Sequence, residues 1–178
     1  MSARTILDSM TEVLIQGEIL LMAMDDQAYA TKIPAAFNAS VGGHYRHCLD
    51  HFRCVFEGLE TDVAEINYDN RKRDPRIETV REIALAHTRE LLRTSEQLEE
   101  CQLERFAWAR SKVSYIGDES PSARSTVGRE IMYCVVHAVH HYALVSVMCS
   151  MMDVPLPEGF GVAPSTVKHN QDAAKLAA

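Results

Sequence analysis

Histidine is the residue type whose number and spacing in this chain point most directly to chemistry. The sequence contains eight histidines, and neutral imidazole is the commonest protein ligand for transition metals. Six of the eight fall into two clusters, one in the first third of the chain and one in the last. The clusters are His44, His47 and His51, and then His137, His140 and His141.

The second cluster contains a His-x-x-x-His pair, His137 and His141. An α-helix turns by about 100° per residue, so these two side chains lie roughly 40° apart and one turn from each other. By the same geometry, His44, His47 and His51 lie within a sector of roughly 60°. The spacing predicts a divalent metal site with two ligands from the late helix and one from the early helix, and it does not choose between His47 and His51.

The neighbours of the late pair indicate which way it faces. Cys134, Leu144 and Met148 continue the line of His137 and His141 along one helix face, which predicts that this face points into the protein. Two neutral imidazoles in an apolar core would leave nitrogen atoms unpaired, at roughly 1–3 kcal/mol each. A metal ion would satisfy both nitrogen atoms.

A structural role is the alternative for every histidine, because a single histidine on an apolar face is usually a hydrogen-bonded core residue. Two clusters on two inward faces favour a metal site over this alternative. His87 and His169 keep the structural interpretation, the first as a core residue and the second as part of the C-terminal tail. Three nitrogen ligands leave coordination positions open, which is typical of catalytic sites, and imidazole ligands suit zinc, nickel, iron or copper.

The overall composition predicts one globular domain that binds neither nucleic acid nor membranes. The chain has 178 residues, 47% hydrophobic content and a formal net charge of −7. This charge argues against polyanionic partners, and the short run 71–73 is the only candidate basic patch. We find no stretch near the roughly 20 apolar residues of a membrane span and no N-terminal signal core, so we expect a cytoplasmic protein. The five cysteines lack metal-type spacing and predict reduced thiols.

Four long helices must position the two clusters. Apolar periodicity and capping residues predict helices over 5–24, 41–59, 74–100 and 125–152. Residues 105–116 are spaced like short strands, whereas 60–74 and 117–125 have the composition of loops. These elements predict an all-α four-helix bundle of the up-down-down-up type, with one longer connection that contains short strands. We expect residues 1–160 to form the bundle and 161–178 a partly ordered tail, extended or frayed from position 158.

Four motifs in order along the chain resemble those of one known superfamily. They are Ser40-Val-Gly-Gly-His-Tyr-Arg-His-Cys-Leu-Asp-His51, Tyr68-Asp-Asn-Arg-Lys-Arg-Asp74, Ser125-Thr-Val-Gly-Arg-Glu130 and His137-Ala-Val-His-His-Tyr142. Their order and spacing resemble the DinB-like (DinB/YfiT) superfamily of metal-binding four-helix bundles. The segment 157–164 is similar to that of bacterial members, and the likeness extends from the first helix to this segment.

The resemblance implies a metal held by one histidine of the second helix and by the His-x-x-x-His pair of the last long helix. Matching the family's motif places the first ligand at His47, with His137 and His141 as the pair, and His51 is the rival for the first position. The resemblance identifies no catalytic residue. It leaves a set of pocket residues or partners of the ligand imidazoles, namely His44, His51, His140, Asp50 and Tyr142, with Glu130 as a further candidate.

The resemblance also implies the kinds of chemistry to expect. Characterised relatives include thiol-dependent S-transferases, a mycothiol-dependent maleylpyruvate isomerase and the histidine-binding domain of ergothioneine sulfoxide synthases. We therefore expect a metal-dependent enzyme with zinc or nickel, or alternatively iron, that transfers a low-molecular-weight thiol to a small-molecule substrate.

Two other functions compete with S-transfer. The first is metal-dependent hydrolysis, whose protease-like version is weakened because Ala138 stands where a His-Glu-x-x-His motif would place its glutamate and Val139 supplies none either. The second is a non-enzymatic metal- or small-molecule-binding role in stress or sensing. We also expect a homodimer that uses the apolar first helix and the Met-rich fourth helix.

Overall fold

The computed structural model describes residues 3–61, 63–71 and 73–177, and most of them lie in helices. A short 3-10 turn (Pro34–Ala36) precedes the second long helix, and three short strands complete the fold. The helices are α1 (Ala3–Ala23), α2 (Asp26–Ala30), α3 (Val41–Gly58), α4 (Pro75–Thr79), α5 (Arg81–Glu96), α6 (Glu100–Leu103), α7 (Val127–Met151) and α8 (Pro164–Ala177). The strands are β1 (Ala64–Asn67), β2 (Phe106–Arg110) and β3 (Ser122–Thr126).

The longest helices around the core are α1, α3, α5 and α7, which correspond to the four long helices that the sequence predicts. Helix α1 packs against α5 and α7, and α3 packs against the same two helices. Apolar residues at helical spacing bury one face of each of these helices, which removes that surface from water. The fully buried core side chains include Met10, Leu14, Leu20, Leu49, Val55, Ile131 and Val145.

A three-stranded sheet packs on one side of α3 and α7, with β2 in its centre. Strand β2 pairs in parallel with β1 and antiparallel with β3. The side chains of Ala64, Ile66 and Ala107 are buried beneath the sheet, whereas Trp108 on the opposite face is partly exposed. The strand predicted within 105–116 is confirmed by β2. The predictions of loops over 60–74 and 117–125 are wrong where β1 and β3 form.

The predicted third helix is interrupted. One continuous helix over 74–100 is expected from periodicity, but the chain breaks at Val80 into α4 and α5. The hydroxyl of Tyr29 donates a hydrogen bond of 2.6 Å to the carbonyl of Ile77. In a continuous helix this carbonyl would accept from the amide of Arg81. The buried contact with Tyr29 therefore stabilises the break.

Helices α3 and α7, which carry the two histidine clusters, both begin at a hydroxyl N-cap. The side chain of Ser40 accepts a hydrogen bond from the amide of Gly43 at 3.0 Å, and Thr126 accepts one from the amide of Arg129 at 3.3 Å. Each cap satisfies an amide that has no partner within its helix. These caps fix the first residue of each helix.

Helix α4 lies directly across the start of α3. A Cβ atom at Gly42 would collide with the backbone carbonyl of Glu78 and would also meet the ring of Tyr29. Only glycine allows this close approach of two backbones. Gly42 therefore sets the distance between α3 and α4.

The C-terminal segment differs from the expected extended or frayed chain, because residues Pro164–Ala177 form α8. Pro164 stands at the first helical position, where the missing amide hydrogen costs nothing. Most of the described side chains of α8 are exposed. The division between a bundle over 1–160 and a tail over 161–178 stays a prediction.

Helix α7 is long and apolar enough to cross a membrane by length and composition alone, which corrects the expectation that no stretch is. Core helices of soluble proteins pass the same test. The helix also carries a buried carboxylate, Glu130, in addition to its three histidines. One side of α7 packs on α1 and α3 within this fold.

Candidate metal centre

Three histidines meet where α3 packs against α7. One ring nitrogen of each of His47, His137 and His141 lies within 4.8 Å of the other two. The Nε2 atoms of His47 and His137 are 2.9 Å apart. The ring centroids of His47 and His141 are 4.8 Å apart, and those of His137 and His141 are 4.5 Å apart. The structure thus brings together the three residues that the family resemblance assigns as metal ligands.

The imidazoles of this cluster are held in their neutral form. Burial, together with the neighbouring histidines and Arg71, lowers the pKa of His47 to about 2. Burial and the adjacent histidines lower the pKa of His141 to about 4, and burial with His140 and Arg71 lowers that of His137. Neutral imidazole is the form that offers a lone pair to a metal. The chemistry of the donor set therefore fits a transition-metal ion.

His51 lies beside the cluster and is not among its converging donors. Its ring is stacked on that of His137, with centroids 4.3 Å apart and an interplanar angle of 27°. Nearly parallel stacked rings direct their lone pairs along separate planes and not towards one point. The Nδ1 atom of His51 is buried without a hydrogen-bond partner, and burial lowers the pKa of this residue to about 3. The geometry favours His47 over His51 as the third donor.

The other histidines surround the cluster at different distances. His44 approaches it most closely, because its Nδ1 atom is 2.8 Å from Nδ1 of His141. His140 is exposed, with its ring centroid 5.7 Å from that of His141. His87 faces Glu90 on α5, and His169 is exposed on α8. His44 is therefore the additional histidine best placed to act on the site.

Asp50 and Tyr142, expected in the pocket or as partners of the ligands, form their hydrogen bonds with residues other than the three ligand histidines. Asp50 is buried and accepts a hydrogen bond of 2.9 Å from Arg46. The hydroxyl of Tyr142 donates to the carbonyl of Val13, and its ring stacks on Phe160 in the core. Both side chains stabilise packing around the site.

Glu130, the other candidate partner, is buried behind the cluster. Its carboxylate accepts hydrogen bonds from the hydroxyl groups of Tyr68 at 2.7 Å and Ser125 at 2.5 Å, and from Arg129 at 2.8 Å. The ring of Tyr68 stacks on His51 with centroids 4.9 Å apart. Glu130 is thus linked to the histidines through this tyrosine.

Arg71 and Tyr68 are the site residues that spacing arguments miss. Arg71 follows β1, and its Nη1 atom is 2.6 Å from Nδ1 of His47. Both residues belong to the motif Tyr68-Asp-Asn-Arg-Lys-Arg-Asp74, which carries the family resemblance. That motif was the available signal, but the residues lie outside the long helices, so periodicity does not place them.

A cavity of about 350 Å³ opens beside the cluster. Histidines form one part of its lining and arginines another. The charged and titratable lining residues that the structure describes are His44, His47, His141, Arg46, Arg71 and Arg73. The cavity gives a small molecule access to the histidines.

The DinB superfamily profile matches residues 18–145, which include both histidine clusters and the intervening sheet strands. The chain belongs to the DinB superfamily. This family binds metals, and the three-histidine cluster is compatible with such a site.

One curated relative, FK506-binding protein 5 of Rhizopus delemar, is 31% identical to this DinB chain over 109 residues. The match covers 61% of the chain and 28% of the relative, so the chain spans little more than a quarter of that protein. No solved structure is significantly similar to the chain.

Proposed function

We propose that this chain is a metal-dependent enzyme in which His47, His137 and His141 hold a divalent ion, zinc or nickel, with iron as the alternative. The observation that carries the proposal is the convergence of three neutral imidazoles beside a cavity. Three protein ligands leave a coordination position for a substrate. In this proposal the long helices α1, α3, α5 and α7 form a four-helix bundle, whose second and fourth helices supply the ligands.

The favoured reaction is transfer of a low-molecular-weight thiol. When bound, a divalent ion lowers the pKa of a coordinated thiol or water and so generates a nucleophile at neutral pH. Hydrolysis of the metalloprotease type uses a carboxylate as the base for the metal-bound water. The cavity lining contains no aspartate or glutamate in the part of the chain that the structure describes. This lining supports thiol transfer over hydrolysis of the metalloprotease type.

A second candidate is non-enzymatic binding of a metal or small molecule. The 2.8 Å contact between His44 and His141 supports it, because a fourth histidine that joins the other three would close the coordination sphere. A closed four-ligand site is structural, whereas a site with three ligands admits a substrate. The exchange of bound water at the metal separates the two candidates.

Metal content tests the site directly. The full chain, purified without a histidine tag, is expected to bind about one divalent ion per molecule. The variants His47→Ala, His137→Ala and His141→Ala each remove one donor, and each should lower metal affinity at least about tenfold. His169→Ala, an identical change at an exposed position on α8, is the control and should bind metal like the native chain. Elemental analysis after dialysis measures the bound metal.

Two results would reject the site: a native chain that binds no metal, or full occupancy in His47→Ala. The loaded protein is then assayed for conjugation of small thiols to electrophiles and for ester hydrolysis. Conjugation that disappears together with the metal supports the transferase. A metal-bound chain without exchangeable water and without turnover supports the non-enzymatic candidate.

A further inference from the structure

Arg71 extends from the segment between β1 and α4 to the histidine cluster. Its Nη1 atom lies 2.6 Å from Nδ1 of His47, and its Nε atom is buried without a hydrogen-bond partner. A guanidinium group only donates hydrogen bonds, so Nδ1 of His47 must be the acceptor. The proton of this neutral imidazole is therefore on Nε2, which donates to Nε2 of His137 at 2.9 Å.

Metal binding is incompatible with this contact. A neutral imidazole has one lone pair and one N–H group. If the ion takes the lone pair of Nε2, Nδ1 of His47 carries the proton and cannot accept from Arg71. If the ion binds Nδ1 instead, the lone pair of Nδ1 is no longer available to accept from Arg71. In both cases Arg71 loses its acceptor when the metal binds, and its donors become available at the cavity.

The charges around the cavity are unbalanced. Arg46 pairs with Asp50 at 2.9 Å and with Glu78 at 3.3 Å, so the three arginines of the lining and these two carboxylates leave one net positive charge. Arg71 and Arg73 also line the cavity, and neither forms an ion pair with a carboxylate in the described ranges 3–61, 63–71 and 73–177. A divalent ion would add further positive charge next to them. A ligand with a negative group would offset this accumulation of charge.

We infer that the substrate of this site carries an oxyanion, a carboxylate or a phosphate, which the released Arg71 binds with Arg73 beside it. The inference rests on the proposed metal site and specifies the substrate class that this site accepts. The planar guanidinium fork matches both oxyanions, because two parallel N–H groups can bind two oxygen atoms. The thiol end of the same molecule then reaches the metal through the cavity.

The test compares thiols of similar length on the full chain loaded with Co²⁺, whose thiolate charge-transfer absorbance reports binding without turnover. The probes are 3-mercaptopropionate, its neutral amide 3-mercaptopropionamide, and 2-mercaptoethyl phosphate. At least one anionic thiol should bind about tenfold more tightly than the amide, as expected for a charge-assisted hydrogen bond. The tighter of the two anionic thiols identifies the preferred oxyanion.

Variants of the arginines identify the anchor. Arg71→Gln should abolish the preference for anionic thiols and leave the Co²⁺ stoichiometry unchanged, whereas Arg71→Lys should retain part of the preference. Arg93→Gln, which removes the same charge from an exposed position on α5, is the control and should behave like the native chain. Arg73→Gln changes an exposed side chain, so it gives a second measurement if Arg71→Gln does not fold, and it should weaken the preference severalfold.

Equal affinities for the anionic thiols and the amide in the native chain would overturn the inference. So would a preference that survives in Arg71→Gln, or one that Arg73→Gln leaves undiminished if Arg71→Gln does not fold. No uptake of Co²⁺ by the native chain would instead overturn the metal site itself and the inference with it. Co²⁺ stoichiometry therefore separates the failure of the proposed function from the failure of the oxyanion site.

Discussion

Individual side chains connect the histidine cluster to a buried acid. Glu130 accepts from the hydroxyl of Tyr68, whose ring stacks on His51, and His51 stacks in turn on His137. A buried carboxylate is stable only where hydrogen bonds replace its lost hydration. Tyr68 therefore serves both the acid and the site, since it supplies a donor to Glu130 and a flat surface to His51.

Removal of the Tyr68 hydroxyl should destabilise the fold. Tyr68→Phe leaves the ring in place and deletes one of three hydrogen bonds to Glu130, which should lower the free energy of unfolding by about 1–3 kcal/mol. Tyr115→Phe makes the same change at a fully exposed position and should have no effect. Urea denaturation of both variants measures the difference. Equal stability of the two variants would show that the bond to Glu130 contributes nothing.

The sequence predicts some of these residues and not others, for a physical reason. His137 and His141 are one turn apart on one helix, so their proximity follows from local geometry alone. Arg71 and Tyr68 lie outside the long helices, and they reach His47 and His51 only because the strand before them pairs with β2. Contacts of this kind depend on the whole fold and leave no periodic signal in the sequence.

At the level of secondary structure, the start of α3 contains two adjacent glycines with opposite roles. A Cβ at Gly42 would collide with the backbone of α4 at Glu78. A Cβ at Gly43 would lie 3.4 Å from the hydroxyl of Ser40, an ordinary van der Waals distance. Substitution by alanine at each position therefore distinguishes the effect of close packing, at Gly42, from the effect of helix propensity, at Gly43.

Gly42→Ala should destabilise the protein by about 1–3 kcal/mol, because backbone atoms of α4 must move to admit the methyl group. Gly43→Ala should be neutral or stabilising by up to about 1 kcal/mol, since alanine favours the helix. Thermal and urea unfolding of both variants give the comparison. A larger loss of stability in Gly43→Ala than in Gly42→Ala would contradict the observed contact between α3 and α4.

Elements with a strong local signal are predicted well. The expected helices over 5–24, 41–59 and 125–152 agree with α1, α3 and α7 to within three residues at each end. The break at Val80 is missed because it depends on Tyr29, which is 48 residues from Ile77 in sequence. Strands β1 and β3 are missed because each is short and acquires its hydrogen bonds from β2.

For the molecule as a whole, the cluster makes stability depend on pH. The pKa values of His47, His51 and His141 are lowered to about 2, 3 and 4, whereas an unfolded histidine titrates near 6.5. Below pH 6.5 the unfolded chain therefore binds more protons than the folded chain. The contribution of these three histidines to stability is complete above pH 6.5. It is lost as the pH falls from 6.5 towards their pKa values in the folded chain.

The metal-free protein should thus lose about 1 kcal/mol per histidine for each pH unit below 6.5. Urea denaturation in the presence of a chelator at pH 7.5, 6.5 and 5.5 measures the loss. His51→Gln removes one of the three groups and should reduce the slope, while the exposed His169→Ala should leave it unchanged. Stability that stays constant between pH 7.5 and 5.5 would refute the prediction.

The positions of the cluster residues in the sequence have a consequence for chain entropy. His47 and His137 are separated by 90 residues, and the segment between them contains all of β1, α4, α5, α6, β2 and β3. An ion held by both residues would act as a removable crosslink that closes this long loop, as a disulfide does, and would disfavour the unfolded ensemble. Metal availability would then govern the lifetime of the folded chain as well as its chemistry.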